Sequence, residues 1–101
     1  MDKKVYSYIG LCQKAGRLKS GEGACAAAIS KGEAQLVLIS QDASDNTKKK
    51  FSNKAKFYGV EYYIKGLRAE LSSAIGKANR PVVVITDRGL AEKIREFLES
   101  V

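Results

Sequence analysis

Apolar residues recur at helical spacing in four segments of the chain. In each segment they fall at i, i+3, i+4 and i+7 or a close variant, which places them on one face of a helix. The sets are Val5, Tyr8, Ile9, Cys12 and Ala15; Thr47, Phe51, Ala55 and Tyr58; Leu67, Leu71, Ala74 and Ile75; and Leu90, Ile94, Phe97, Leu98 and Val101. The pattern predicts helices over about 3–15, about 45–58 with Ser44 as its cap, from Leu67 to Gly76, and after a cap at Thr86 or Asp87.

Strand patterns separate these helices. Leu36–Ile39 and Val82–Ile85 are continuous apolar runs, as expected for strands covered on both faces. Val60, Tyr62 and Ile64 alternate with polar positions, which favours a half-buried strand near a sheet edge. A short strand fits Leu18–Ser20. Two strands covered on both faces require helices on each side of the sheet.

The predicted fold class is therefore α/β. We expect a three-layer α/β/α sandwich with a mixed sheet of about four strands, in the order α-β-α-β-α-β-α-β-α. At 101 residues the chain is expected to form one domain, residues 1–101.

The second predicted helix, residues 22–31, is unusual because its side chains are small. Cys25, Ala28 and Ile29 share one face and can pack, while the opposite face is almost featureless. Gly21 and Gly23 leave the backbone bare where the helix begins, and the first N–H groups of a helix lack internal partners. With Arg17 and Lys19 nearby, this helix start is predicted to favour anions.

The net charge of the chain is +7, and it is unevenly distributed. Residues 1–60 hold 11 basic and 5 acidic side chains, whereas residues 61–101 hold 7 and 6. Such asymmetry suits a polyanionic partner, although a basic surface without a partner is equally compatible with charge alone. The run Lys48–Lys50 is most simply a solvated helix face, with an auxiliary phosphate contact as the alternative.

Catalytic and metal sites find little support in the sequence. Histidine is absent, the two cysteines are too few for a zinc site, and no phosphate-binding glycine motif is complete. Asp42 and Asp87 follow strands but have no accompanying base or nucleophile, so they read as loop or cap residues. We expect no enzyme activity, no metal and no cofactor.

Cys12 and Cys25 lie on apolar helix faces, so buried free thiols in a reducing cytosol are expected. The longest apolar run has about five residues, far below a membrane span. The expected location is the cytoplasm.

Several short segments resemble the superfamily of small ribosomal proteins that includes the seven-Ae and thirty-e proteins and Gadd45, whose members recognise kink-turns in RNA. The resemblance covers nearly the whole chain and includes stand-alone bacterial members. It implies the same three-layer sandwich, a non-catalytic RNA-binding function and an association with ribosomal or other structured RNA. The matching segments are Ala15–Leu18, Ser20–Gly21, Lys31–Gly32, Ala34–Ile39, Gln41–Ser44 (similar to the family's E-D-A-S) and Arg80–Pro81 with the following valines, with Leu71, Ala74 and Gly76 as isolated matches.

In relatives that bind kink-turns, the resemblance implies that an Asn and a Glu near the start of the second helix read guanine edges. A Lys one turn later holds phosphate. Those positions fall here at Gly23, Ala24 and Ala27, so none of the three side chains is present. Glu22 offers a carboxylate in the same turn, although its spacing is off by two. The loop at Lys77–Asn79, where relatives place apolar residues under an extruded nucleotide, is longer by one residue and more polar.

Two interpretations remain open. The chain binds RNA through phosphates, backbone amides and shape, or it is a protein-interaction module that has lost base-specific RNA recognition. Under the first, the expected RNA-binding residues are Lys19, Ser20, Gly21, Glu22, Gly23, Ala24, Ala27, Lys31, Arg68, Lys77, Ala78 and Arg80.

Overall fold

The computed structural model describes residues 1–100 and contains five helices and four strands over that range. In chain order they are α1 (Lys3–Lys14), β1 (Leu18–Ser20), α2 (Glu22–Ser30), β2 (Leu36–Ile39), α3 (Asp45–Phe57), β3 (Tyr62–Ile64), α4 (Arg68–Ala74), β4 (Val82–Ile85) and α5 (Arg88–Glu99). The predicted order of elements is confirmed. Among residues 1–100, no helix combines the length and apolar character needed to cross a membrane.

The four strands form one mixed sheet in the order β1-β4-β2-β3. β4 pairs antiparallel with both β1 and β2, with Leu18 opposite Ile85 and Val37 opposite Val84. β3 runs parallel to β2 and is an edge strand, as its alternating pattern predicted. All eight residues of β2 and β4 are buried, because helices cover both faces of these central strands.

Two apolar cores lie on opposite faces of the sheet. One joins α1, α4 and α5 to the sheet through residues such as Val5, Leu71 and Ile94. The other joins α2 and α3 to the sheet, with Ile29 and Phe51 fully buried. The α/β/α sandwich is therefore confirmed, and α2 and α3 share one outer layer.

Three residues predicted to be buried are exposed, and each lies at a helix boundary. Ala15 and Tyr58 are the C-terminal caps of α1 and α3, and Leu67 precedes α4 as its N-terminal cap. The helical repeat does not show where a helix ends, so the prediction extended each buried stripe one position too far. Val101, assigned to the buried side of the last helix, lies outside the described residues.

The prediction for the third strand was also partly wrong. The strand covers only Tyr62–Ile64, and Ile64 is exposed. Tyr63 lies on the side of the strand that the alternation marks as polar, yet it packs against the core and donates a hydrogen bond to Glu99. An edge strand has no neighbour on its open side, so its alternation is a weak guide to burial.

Candidate nucleic-acid interface

The start of α2 is built by a glycine with a left-handed backbone. Gly21 is the N-terminal cap, with φ 85° and ψ 149°. The first backbone hydrogen bond of the helix runs from Cys25 N–H to the Gly21 carbonyl, at 3.0 Å. The N–H groups of Glu22, Gly23 and Ala24 precede that bond, so the helix itself supplies them with no acceptor. They form a set of donors at the positive end of the helix.

The outer face of α2 is open. Gly23, Ala24 and Ala27 are exposed, whereas Cys25 and Ile29 on the inner face are fully buried. A methyl group added at Gly23 would meet no atom within 4 Å. A large partner can therefore approach the helix backbone closely along this face.

Glu22 is engaged with α3 and does not project freely from the helix start. Its Oε2 accepts a hydrogen bond from Thr47 Oγ1 at 3.1 Å, and its Oε1 lies 3.9 Å from Lys50 Nζ. Ser44 Oγ donates to Thr47 Oγ1 and accepts the Thr47 N–H, which caps α3 as predicted. The idea that Glu22 replaces the missing carboxylate of the relatives is therefore not supported by its orientation.

Arg80 connects the loop before β4 to the start of α2. Its Nε donates to Ser20 Oγ at 3.3 Å, its Nη1 donates to the Ala78 carbonyl, and its backbone N–H donates to Ser72 Oγ. A methyl group at Gly21 would lie 3.9 Å from Arg80 Nε. The guanidinium is therefore held directly beside the helix start.

Arg68 joins the same loop to the loop after β2. Its Nη1 donates to Asn79 Oδ1 at 3.1 Å, and its Nη2 donates to the Asp42 carbonyl at 2.9 Å. Its Nε is buried and finds no hydrogen-bond partner among residues 1–100. Asn79 adopts φ 54°, a left-handed conformation that Asn tolerates better than most residues. The arrangement fixes the shape of the loop.

Asp42 caps α4 from a distant part of the chain. Leu67, the residue before α4, has no side-chain acceptor, and Asp42 Oδ1 accepts the N–H of Arg68 at 2.8 Å. That hydrogen bond is the main reason that the pKa of Asp42 is lowered. Asp42 is thus a cap residue, as predicted, but for a helix 26 positions away.

These groups surround a polar groove of about 350 Å³. Of the predicted site residues, the groove includes Gly21, Glu22, Arg68 and Arg80. Lys19 and Ser20 lead into the helix start, and the exposed Lys77 and Ala78 belong to the adjoining loop. The lining also includes residues that the sequence analysis did not assign to the site: Ser44, Thr47, Asn79 and Pro81.

Lys31 is not part of this cluster. It is the C-terminal cap of α2, so the nine residues of the helix separate it from Gly21, about 14 Å along the axis. The asparagine at 79 carried a weak signal in the sequence, since Asn is common at left-handed loop positions. The contact between Thr47 and Glu22 could not be predicted from the sequence, because the two residues lie 25 positions apart.

Cys25 lies directly behind the helix start and is sealed from solvent. Its Sγ is 3.4 Å from the Lys19 carbonyl and 3.6 Å from that of Val82. Burial, with a smaller effect from Glu22, raises the pKa of this thiol to about 12. Cys12 is also buried, and the two free thiols agree with the prediction.

Two known proteins are similar to this chain in sequence over almost its whole length. The chain is 39% identical over 94 residues to the RNA-binding protein YlxQ of Bacillus subtilis strain 168, covering 93% of this chain and 94% of that protein. It is also 39% identical over 98 residues to the RNA-binding protein YlxQ of Enterococcus faecium, covering 97% and 94%.

Two solved structures share the fold. A Bacillus halodurans protein of unknown function superposes with a TM-score of 0.93 at 33% identity, covering 98% of this chain and all of that chain. A Giardia lamblia 15.5 kD RNA-binding protein has a TM-score of 0.81 at 19% identity, covering 98% and 91%. The second likeness concerns the fold alone.

The sequence profile described as Ribosomal protein L7Ae/L30e/S12e/Gadd45 family matches residues 3–94. The relatives from Bacillus subtilis and Enterococcus faecium are named as RNA-binding proteins, which agrees with the prediction of a non-catalytic protein. The matched profile covers almost the whole chain, and the chain therefore belongs to the L7Ae/L30e/S12e/Gadd45 family of ribosomal proteins and their relatives.

Proposed function

We propose that this protein is a non-catalytic, single-domain RNA-binding protein of the cytoplasm. It binds structured RNA, ribosomal or other, through the start of α2 and the loop at residues 77–80. The observation that carries the proposal is the open start of α2, where Gly23, Ala24 and Ala27 are exposed beside the anchored Arg80 guanidinium. Relatives named as RNA-binding proteins, together with the net charge of +7, support it.

Binding in this arrangement relies mainly on the RNA backbone. The free N–H groups at the start of α2 donate to phosphate oxygens, and the helix dipole adds to the attraction. Lys19 precedes the helix start in the chain, Arg80 is hydrogen-bonded to Ser20, and the exposed Lys77 belongs to the adjoining loop, so these cations supply positive charge. The small side chains of α2 allow the RNA to approach the helix more closely than bulky side chains would.

The small side chains of α2 also affect how specifically the protein recognises a kink-turn. The family resemblance implies that the positions of Gly23 and Ala24 read guanine in kink-turn-binding relatives and that the position of Ala27 holds phosphate. A bidentate base contact typically contributes about 1–3 kcal/mol of discrimination. Without those contacts, shape and phosphate geometry determine the choice of RNA. We therefore expect a preference for bent, structured RNA that is weaker than direct base reading gives.

An electrophoretic mobility shift assay tests this proposal. The protein is titrated against a kink-turn RNA and a plain duplex of equal length, at about 50 and about 200 mM salt. Tighter binding to the kink-turn, with strong salt dependence for both, is the expected result. A preference of tenfold or more shows specific kink-turn recognition, and equal affinities show phosphate contacts alone.

Failure to bind either RNA at the lower salt concentration would overturn the proposal. That result would favour the alternative, a protein-interaction module. The smooth outer face of α2 suits a protein surface as well as an RNA groove, which is the specific observation behind the alternative.

A further inference from the structure

The outer face of α3 carries a line of four exposed residues, of which only Lys50 contacts the candidate interface. Asn46, Lys50, Asn53 and Phe57 follow one another at i, i+4, i+7 and i+11, so they lie in one row along the helix. Phe57 ends the row and is 81% exposed, more than any other large apolar side chain in residues 1–100. Most of its ring is therefore accessible to a partner.

Positive charge surrounds this row. α3 contains five lysines and one acidic residue, Asp45. Within residues 1–100 only one of the five lysines, Lys50, forms an ion pair. Lys49 and Lys56 are exposed and flank the row on the same side of the helix. The charge is therefore available to an anionic partner.

The aromatic group at the end of the row is held in place. The rings of Phe57 and Tyr58 meet edge to face, with centroids 5.0 Å apart and planes at 77°. Lys54 Nζ lies 5.6 Å from the centre of the Tyr58 ring. One side of Phe57 is thus supported, while most of its surface faces solvent.

The row meets the candidate interface at its second member, Lys50. Lys50 Nζ lies 3.9 Å from Glu22 Oε1 in the first turn of α2. From Lys50, the row extends seven residues to Phe57, about 10 Å along the helix axis. A strand that leaves the start of α2 in this direction would follow the row to its aromatic end.

We propose that this row, Asn46–Lys50–Asn53–Phe57 with Lys49 and Lys56, binds an unpaired RNA strand that flanks the structured element, and that Phe57 stacks on one of its bases. The inference rests on the proposed function of the same protein. Stacking on an aromatic ring beside phosphate-binding lysines is a general way to hold single-stranded nucleic acid. The cores of protein–protein interfaces are instead depleted in lysine, which makes a protein occupant the weaker interpretation.

The test compares two forms of one RNA. The first is a blunt-ended structured RNA, and the second carries an unpaired extension of about eight uridines on either the 5′ or the 3′ strand. We expect one of the extensions to raise the affinity of the parent protein at least about fivefold. Phe57→Ala should abolish that gain and leave the affinity for the blunt RNA unchanged.

Matched variants separate stacking from general effects. Phe57→Tyr keeps an aromatic ring and should retain the gain, whereas Phe57→Leu keeps the apolar character and should lose it. Leu11→Ala is the control, because Leu11 is an exposed apolar residue of α1, on the opposite side of the sheet. Lys49→Gln with Lys56→Gln should reduce the gain, and Lys3→Gln with Lys4→Gln should not.

The outcomes distinguish this inference from the proposed function. Normal binding of the blunt RNA, with no gain from either extension or a gain that survives Phe57→Ala, would refute the α3 site alone. Loss of binding to every RNA would refute both. Circular dichroism melting of each variant confirms that the exposed substitutions leave the fold intact.

Discussion

At the residue scale, the two glycines at the start of α2 differ in what they tolerate. Gly21 has φ 85°, a conformation that strains any side chain, so its substitution disturbs the fold itself. Gly23 has an ordinary helical backbone and open space around it. Gly23 is therefore the position at which binding can be altered without damage to the helix.

Gly23→Asp should change stability and RNA affinity in opposite directions. A carboxylate in the first turn of a helix interacts favourably with the helix dipole, and replacing glycine removes backbone freedom from the unfolded chain. We expect the free energy of unfolding in urea to rise by about 0.5–1 kcal/mol. RNA affinity should fall at least about tenfold, because the new charge repels phosphate.

Gly23→Ala serves as the matched control for that variant. It should bring a similar gain in stability with a much smaller loss of affinity, since it adds a methyl group without charge. If Gly23→Asp binds RNA as the parent protein does, the start of α2 is not the binding surface.

The two thiols should resist modification in the folded protein. Cys12 and Cys25 are fully buried, and burial raises their pKa values to about 11 and about 12. A thiol reagent at pH 8 should react slowly with the native protein and rapidly with the unfolded protein, since the thiolate is the nucleophile. Rapid reaction of both thiols without denaturant would contradict their burial.

The raised pKa values of the two thiols also determine how the stability of the fold depends on pH. The folded state holds the thiol protons more tightly than the unfolded state, so this contribution to stability is complete below the ordinary thiol pKa. It is lost as the pH rises towards 11 and 12. In urea unfolding experiments, Cys25→Ala should weaken the alkaline loss of stability relative to the parent protein.

At the scale of the element, the cap of α3 also supports the start of α2. Ser44 caps α3 through the Thr47 N–H, and Thr47 in turn donates to Glu22. Ser44→Ala should lower the free energy of unfolding by about 1 kcal/mol, as measured by urea denaturation. Ser73→Ala, at an exposed position in α4, is the control. An unchanged unfolding midpoint for Ser44→Ala would show that the cap contributes little.

The outer face of α2 offers a test of kink-turn reading by gain of function. The combined substitutions Gly23→Asn, Ala24→Glu and Ala27→Lys supply the side-chain types that the family resemblance assigns to these positions. All three positions are exposed, so the core is unaffected. We expect preference for a kink-turn over a duplex to rise at least tenfold in mobility shift assays.

The control for this variant combines Gly23→Ala, Ala24→Gln and Ala27→Gln. It places side chains at the same positions without the charges or the guanine-reading groups, and it should show no gain in preference. An equal rise in both variants would mean that bulk on α2, not base contact, determines the choice of RNA.

The elements themselves were predictable because hydrophobic periodicity reports burial directly. The continuous apolar runs Leu36–Ile39 and Val82–Ile85 are the two central strands, and Phe51 is fully buried in the core, as predicted. The pairing order was beyond a single sequence, since the antiparallel contact of β4 with β1 joins residues more than 60 positions apart.

The candidate site was predictable in position but not in its internal contacts. The glycines and small residues of α2 indicated an open helix start, which the structure has. The orientation of Glu22 towards Thr47, and the bridge from Arg68 to Asp42 and Asn79, depend on how distant loops meet. No local sequence pattern encodes these long-range contacts. The sequence analysis therefore assigned Arg68 to RNA binding without showing that it also holds a loop in place.

At the scale of the whole molecule, the sheet separates two layers with different surroundings. α2 and α3 form one layer and carry the open helix start and the lysine-rich row, while α1, α4 and α5 cover the other face. Arg68 is the exception, since it belongs to α4 and reaches the loop beside α2. Of the 11 basic residues among the first 60, five lie on α3 and three on α1, so α3 carries more of this charge than any other element.

The two outer strands of the sheet, β1 and β3, are only three residues long. Edge strands this short expose few unpaired backbone N–H and C=O groups, and Lys19 adds a positive charge to β1. A second molecule therefore has too few exposed backbone groups at either edge to extend the sheet by hydrogen bonding. We expect light scattering after gel filtration to report the mass of a single chain even in concentrated solution, and a concentration-dependent rise in mass would count against this.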